Sequence, residues 1–79
     1  MNRKNSVLIV DDEPLVQIGL KSIFDRDLKD EYEVTGSAGN GRDAFALIEK
    51  NRPDIVISDI KMPIMTGLEL IDKVRKEIG

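Results

Sequence analysis

The hydrophobic period of this 79-residue chain switches back and forth along its length, and that alternation restricts its fold more than any other feature. Val7-Leu8-Ile9-Val10 is an unbroken, β-branched-rich run, the mark of a strand covered on both faces. Asp11-Asp12-Glu13-Pro14 ends it with helix-start chemistry, an acidic cap and a proline near the first helical position. From Leu15 to about Leu28, the apolar residues Val16, Leu20, Ile23 and Phe24 recur on one helical face, while Asp25 to Glu31 is expected to fray into a loop. Val34-Thr35-Gly36-Ser37-Ala38 predicts a second, weaker strand. Asn40, with Asp43 three residues on, caps a second helix whose buried stripe is Ala44, Leu47 and Ile48 and whose end Pro53 enforces. Asp54-Ile55-Val56-Ile57-Ser58-Asp59 is the third strand. After a loop with Met62-Pro63, Thr66-Gly67-Leu68-Glu69 forms a capping box for a third helix, with Leu68, Ile71, Val74 and Ile78 toward the core.

Strand and helix thus alternate three times with no hairpin turn, which means parallel strands joined by right-handed crossovers in an α/β layered fold. Strands start near residues 6, 33 and 54, about 24 residues per unit, whereas a five-unit doubly wound domain needs about 120. Residues 1–79 are therefore expected to form one partial domain with strand order 2-1-3. Without Cys or His, disulfides, Cys/His zinc sites and Cys or His nucleophiles are excluded. Hydrophobic residues at 41% make the chain too apolar for a disordered one. A net charge of −3 with two Phe and one Tyr argues against direct binding to nucleic acid or anionic membranes. The run Val7 to Val10 is too short for a signal peptide or a membrane span, so the cytoplasm is the expected location.

In open parallel sheets, ligands bind beyond the carboxyl ends of the strands, where strand order reverses. The first strand ends in Asp11-Asp12 and the third in Asp59, and the order 2-1-3 makes those strands neighbours. Asp12 or Glu13 alone could serve only as a helix cap. Asp59 ends a buried apolar strand and precedes a loop, so capping does not account for it. Three carboxylates in one crevice repel, and a divalent cation is the natural compensator. All-oxygen ligation suits Mg2+.

These residues carry a resemblance. Val7 to Pro14, and Pro53 to Leu70 with its Ser58-Asp59-Ile60-Lys61-Met62-Pro63 core, look like the receiver domain of bacterial two-component response regulators. The match covers essentially the whole chain and implies a flavodoxin-like fold. It implies that Asp59 accepts a phosphoryl group from a phosphohistidine on a sensor histidine kinase. It also implies Mg2+ at Asp12 and Asp59, with Asp11 behind them or acting through water and Lys61 offering its backbone carbonyl. A carboxylate nucleophile brings its own charge and needs no separate base, so the receiver supplies position and charge compensation while the donor supplies the activated phosphate. The first helix contributes to kinase docking in this family, which makes Gln17 and Lys21 contact candidates. The wording of that helix, Glu13 to Leu20, resembles receivers joined to AraC-type DNA-binding domains, so DNA would be reached only through an output domain.

The departures matter as much. The family's Ser or Thr after a fourth strand and Lys after a fifth have no counterpart here, and Ser6, Ser22, Ser37 and Ser58 occupy no equivalent place. The expectation is a chain that holds the acceptor and metal site but lacks the switch, and that accepts phosphate poorly. Its third strand would be an uncovered edge, inviting self-association. Two rivals stand beside this reading. A metal-dependent phosphohydrolase with Asp59 as nucleophile would want an acid/base Asp where Lys61 lies; a degenerate receiver would serve only protein contacts. Gly36-Ser37-Ala38-Gly39-Asn40-Gly41 has the wrong spacing, and the wrong strand before it, for a nucleotide loop.

Overall fold

The computed structural model describes residues 4–59 and 67–78. Its centre is β1 (Asn5–Val10), where Val7, Leu8, Ile9 and Val10 are at most 1% exposed. β2 (Tyr32–Ala38) and β3 (Ile55–Ser58) flank it, both parallel, in the order β2-β1-β3. A strand covered on both faces and paired on both edges has no use for alternation, which is why β1 reads as a continuous apolar run. Burying each of its four side chains is worth about 1.5–3 kcal/mol. The β1–β2 register slips by one residue between Val7 and Leu8, so Thr35 is skipped and Gly36 comes opposite Leu8. The β1–β3 register runs unbroken from Val7↔Ile55 to Val10↔Ser58.

Both ends of the β1–β3 pair are fastened. At the amino end, Ser6 donates from its backbone N–H and its Oγ to Asp54 Oδ2 (2.8 and 3.1 Å), while the Asp54 N–H donates back to the Ser6 carbonyl and hydroxyl oxygens, each at 3.0 Å. At the carboxyl end, the Asp59 N–H donates to the Val10 carbonyl at 2.9 Å.

The helices divide between the two faces. α2 (Gly41–Asn51) and α3 (Gly67–Glu77) pack together over Leu8, Val10 and Ala38, adding Ala44, Ile48 and Leu70 to the core. Lys73 Nζ lies 4.7 Å above the Phe45 ring and ties the two helices further. Asn40 caps α2 as expected: its Oδ1 accepts the Asp43 N–H at 2.9 Å, and its Nδ2 donates to Asp43 Oδ2 at 3.0 Å. α2 stops at Asn51, and Arg52 takes the left-handed conformation (φ 47°, ψ 60°) before Pro53. The Thr66 capping box and the Met62-Pro63 loop lie outside the described residues.

α1 (Pro14–Asp27) covers the other face and continues three residues into the stretch expected to fray. Phe24 holds that end against the sheet, its ring edge-on to Tyr32 with centroids 5.7 Å apart. Two assignments of helix faces need correction. Leu20 and Phe24 of α1 are half-buried, but Val16 and Ile23 are exposed, and no α1 residue is fully buried. In α3 the core stripe runs through Leu70, Val74 and Ile78, whereas Leu68 and Ile71 are exposed. Spacings of four and of three residues both suit a helical face. The packing of α2 decides between them, and Ile71 is left on the flank toward β3. There Ile48, Pro53, Val56, Leu70, Ile71 and Val74 line an apolar groove of about 380 Å³.

Candidate functional site

The site is built where β1 and β3 end side by side. Each strand runs out into acid directly after its last apolar or paired residue, so Asp11, Asp12 and Asp59 come together although 48 positions separate Asp11 from Asp59 in the chain. One carboxylate oxygen from each lies within 4.8 Å of the others. Asp11 and Asp59 are half-buried and Asp12 is exposed. At that spacing two unit charges repel by roughly 1 kcal/mol in bulk water and 3–4 kcal/mol at the effective dielectric near a protein surface. An all-carboxylate donor set of this size fits a hard divalent cation better than any other ligand class.

Asp11 is held on three sides. Its N–H donates to the Ala38 carbonyl at 3.0 Å, its Oδ1 accepts the Glu13 N–H at 2.9 Å, and its carbonyl accepts from Gln17 Nε2 at 2.6 Å. The same Gln17 nitrogen lies 3.2 Å from the Ala38 carbonyl, as its second acceptor. On the other strand, Ser58 Oγ donates to the Asp59 carbonyl at 2.9 Å. Lys61 lies outside the described residues.

Gln17 and Lys21, paired in the sequence reading as contact candidates, have different surroundings. Gln17 is half-buried and turned inward against backbone carbonyls. Lys21, one turn further along α1, is exposed, its Nζ 2.7 Å from Asp25 Oδ2, in an ion pair more than half exposed on both sides and worth at most about 0.5 kcal/mol. Sequence reasoning missed the Gln17 bridge and the Ser6–Asp54 clasp. A serine before one apolar run and an aspartate before another is the only trace the clasp leaves in the chain, and nothing in the sequence pairs them.

Comparison with known proteins agrees with this geometry. The family model described as the response regulator receiver domain matches residues 7–78. The transcriptional regulatory protein YdfI of Bacillus subtilis is 41% identical over 73 residues, covering 92% of this chain and 33% of that protein. A protein-glutamate methylesterase/protein-glutamine glutaminase of Paramagnetospirillum magneticum is 42% identical over 71 residues, covering 90% of this chain and 19% of that protein. The signal receiver domain of the response regulator NarL from Mycobacterium tuberculosis superposes with a TM-score of 0.87 at 32% identity, covering 95% of this chain and 59% of that one. The chain thus spans a fifth to a third of the length of these curated relatives. What they share is the part matched here, and by that measure this chain belongs to the response regulator receiver domain family.

Proposed function

We propose that the chain is a phosphoacceptor signalling module: the Asp59 carboxylate takes a phosphoryl group from a phosphohistidine on a sensor histidine kinase in the cytoplasm. The observation that carries this reading is the convergence of Asp11, Asp12 and Asp59 at the switch point between β1 and β3. Asp12 and Asp59 would hold Mg2+, with Asp11 behind them or acting through water and the Lys61 carbonyl as a further ligand. When bound, the cation neutralises charge shared by the carboxylates and the phosphoryl oxygens. An Asp59 oxygen forms the new P–O bond as the P–N bond of the donor breaks, and the imidazole nitrogen leaves with that electron pair. The Asp59 N–H bond to Val10 and the Ser58 hydroxyl on the Asp59 carbonyl keep the acceptor backbone at the strand end.

Transcriptional output belongs to the proposal too, exerted through a separate DNA-binding part of a longer protein. YdfI supports it by name, and an AraC-type output is the alternative suggested by the wording of α1. The chain acts as acceptor, and any enzymatic output would lie in such a further part, as the methylesterase relative illustrates.

The test is incubation of the full-length parent with Mg2+ and acetyl phosphate followed by mass spectrometry. An acyl phosphate on Asp59, lost in Asp59→Asn, is expected. Donor turnover without an adduct would point instead to a phosphohydrolase, and no reaction at all to a receiver used only for contacts.

A further inference from the structure

Gln17 belongs to the second turn of α1, six residues after Asp11, and both its backbone and its side chain grip the acidic loop. Its N–H donates to the Glu13 carbonyl at 3.2 Å. Its Nε2 donates to the Asp11 carbonyl at 2.6 Å and to the Ala38 carbonyl at 3.2 Å, so one amide bridges the ends of β1 and β2. The Ala38 carbonyl already accepts the Asp11 N–H, so the Gln17 amide is its second donor; the Asp11 carbonyl lies beyond the end of β1, and a half-buried carbonyl left without a donor is costly. The bridge acts on Asp11 from its main-chain side, while Glu13 acts on its carboxylate. Rotation of the Asp11–Asp12 peptide, which would swing both carboxylates, has to break the 2.6 Å bond first.

We infer that Gln17 is a positioning residue for the cation site: it clamps the Asp11–Asp12 loop to the end of β2, so that the carboxylates stand ready for a divalent cation before one arrives. This assignment rests on the metal-site reading given above. Groups that orient ligands from behind commonly change metal affinity by about tenfold or more when removed. Gln17→Met keeps the length of the side chain and removes both donors. Gln17→Arg keeps a planar set of N–H donors on a comparable stem.

Two measurements on the 79-residue protein test the inference. The first is amide hydrogen exchange without metal, in which Gln17→Met is expected to speed exchange at Asp11 and Glu13 while Val7 to Ile9 stay protected, and Gln17→Arg to restore protection. The second is Mn2+ titration followed by calorimetry, in which Gln17→Met is expected to bind about tenfold more weakly than wild type. Equal Mn2+ affinity in Gln17→Met and wild type would overturn the inference alone. So would faster exchange spread evenly over the whole sheet, which marks a residue that merely supports the fold. A wild-type chain that binds no Mn2+, with Asp12→Asn indistinguishable from it, would overturn the metal-site reading and this inference together.

Discussion

At the scale of single residues, three carboxylates each bring an oxygen within 4.8 Å of the others. Their mutual repulsion works against the metal-free fold, and an exposed group such as Asp12 feels it near the bulk-water limit of roughly 1 kcal/mol per pair. Asp12→Asn is therefore expected to raise stability by about 1 kcal/mol in the presence of a chelator, read as a higher urea midpoint by circular dichroism. If Mg2+ binds there as proposed, it stabilises the wild type by binding the native state alone, and the same substitution is expected to cut that gain. A variant less stable than wild type in chelator would mean that Asp12 serves a cap and not a charge cluster. The carboxylates themselves were legible in the sequence, since each follows an apolar run that could only be a buried strand. Gln17 was legible as a polar residue of the first helix and no further. Whether its amide points to solvent or to a carbonyl depends on where β2 ends, and that is a fact about the sheet.

At the scale of elements, strands and helices follow the sequence closely because each apolar run is bounded by strong punctuation, Asp11 to Pro14 after β1 and Asn40 before α2. What the sequence did not disclose is how much of each helix face finds a partner. Ile71 has a core-like spacing, but only an element beyond β3 would cover it, and it stays 55% exposed. The end of α2 offers a measurable case. Arg52 is the only non-glycine with positive φ among the described residues. A side chain with a Cβ loses roughly 1–2 kcal/mol in that conformation, whereas glycine gives up about 0.5–1 kcal/mol of backbone freedom on folding. Relief exceeds loss, so Arg52→Gly is expected to stabilise the fold by about 0.5–1 kcal/mol in urea unfolding. Destabilisation would show that Arg52 makes a contact of greater worth than its conformation costs.

For the whole molecule, the accessible surface of 5488 Å² exceeds the roughly 4800 Å² expected of a folded protein of 8.9 kDa. The excess matches the open faces: Leu15 and Ile18 on α1, Leu68 and Ile71 on α3, and Val56 on β3. Because Asp59 turns its N–H toward β1, alternation along the strand aims the N–H and C=O groups of Val56 and Ser58 outward, away from β1. Concentration-dependent association is expected in sedimentation, and Val56→Lys should shift the distribution toward monomer. An unchanged monomer in both proteins would show that the edge is covered. The order β2-β1-β3 also dictates a sequence of events in folding. β1 is central in space but first in the chain, and its partner in the clasp, Asp54, lies 48 positions beyond Ser6. The β1–β2 half closes the shorter loop and can form with Asp11 and Asp12 in place, but the acceptor joins only when β3 docks. Under the proposed function, cation affinity would thus be a late product of folding, and in a chain that has locally lost β3 it would vanish while α1 and β2 remained folded.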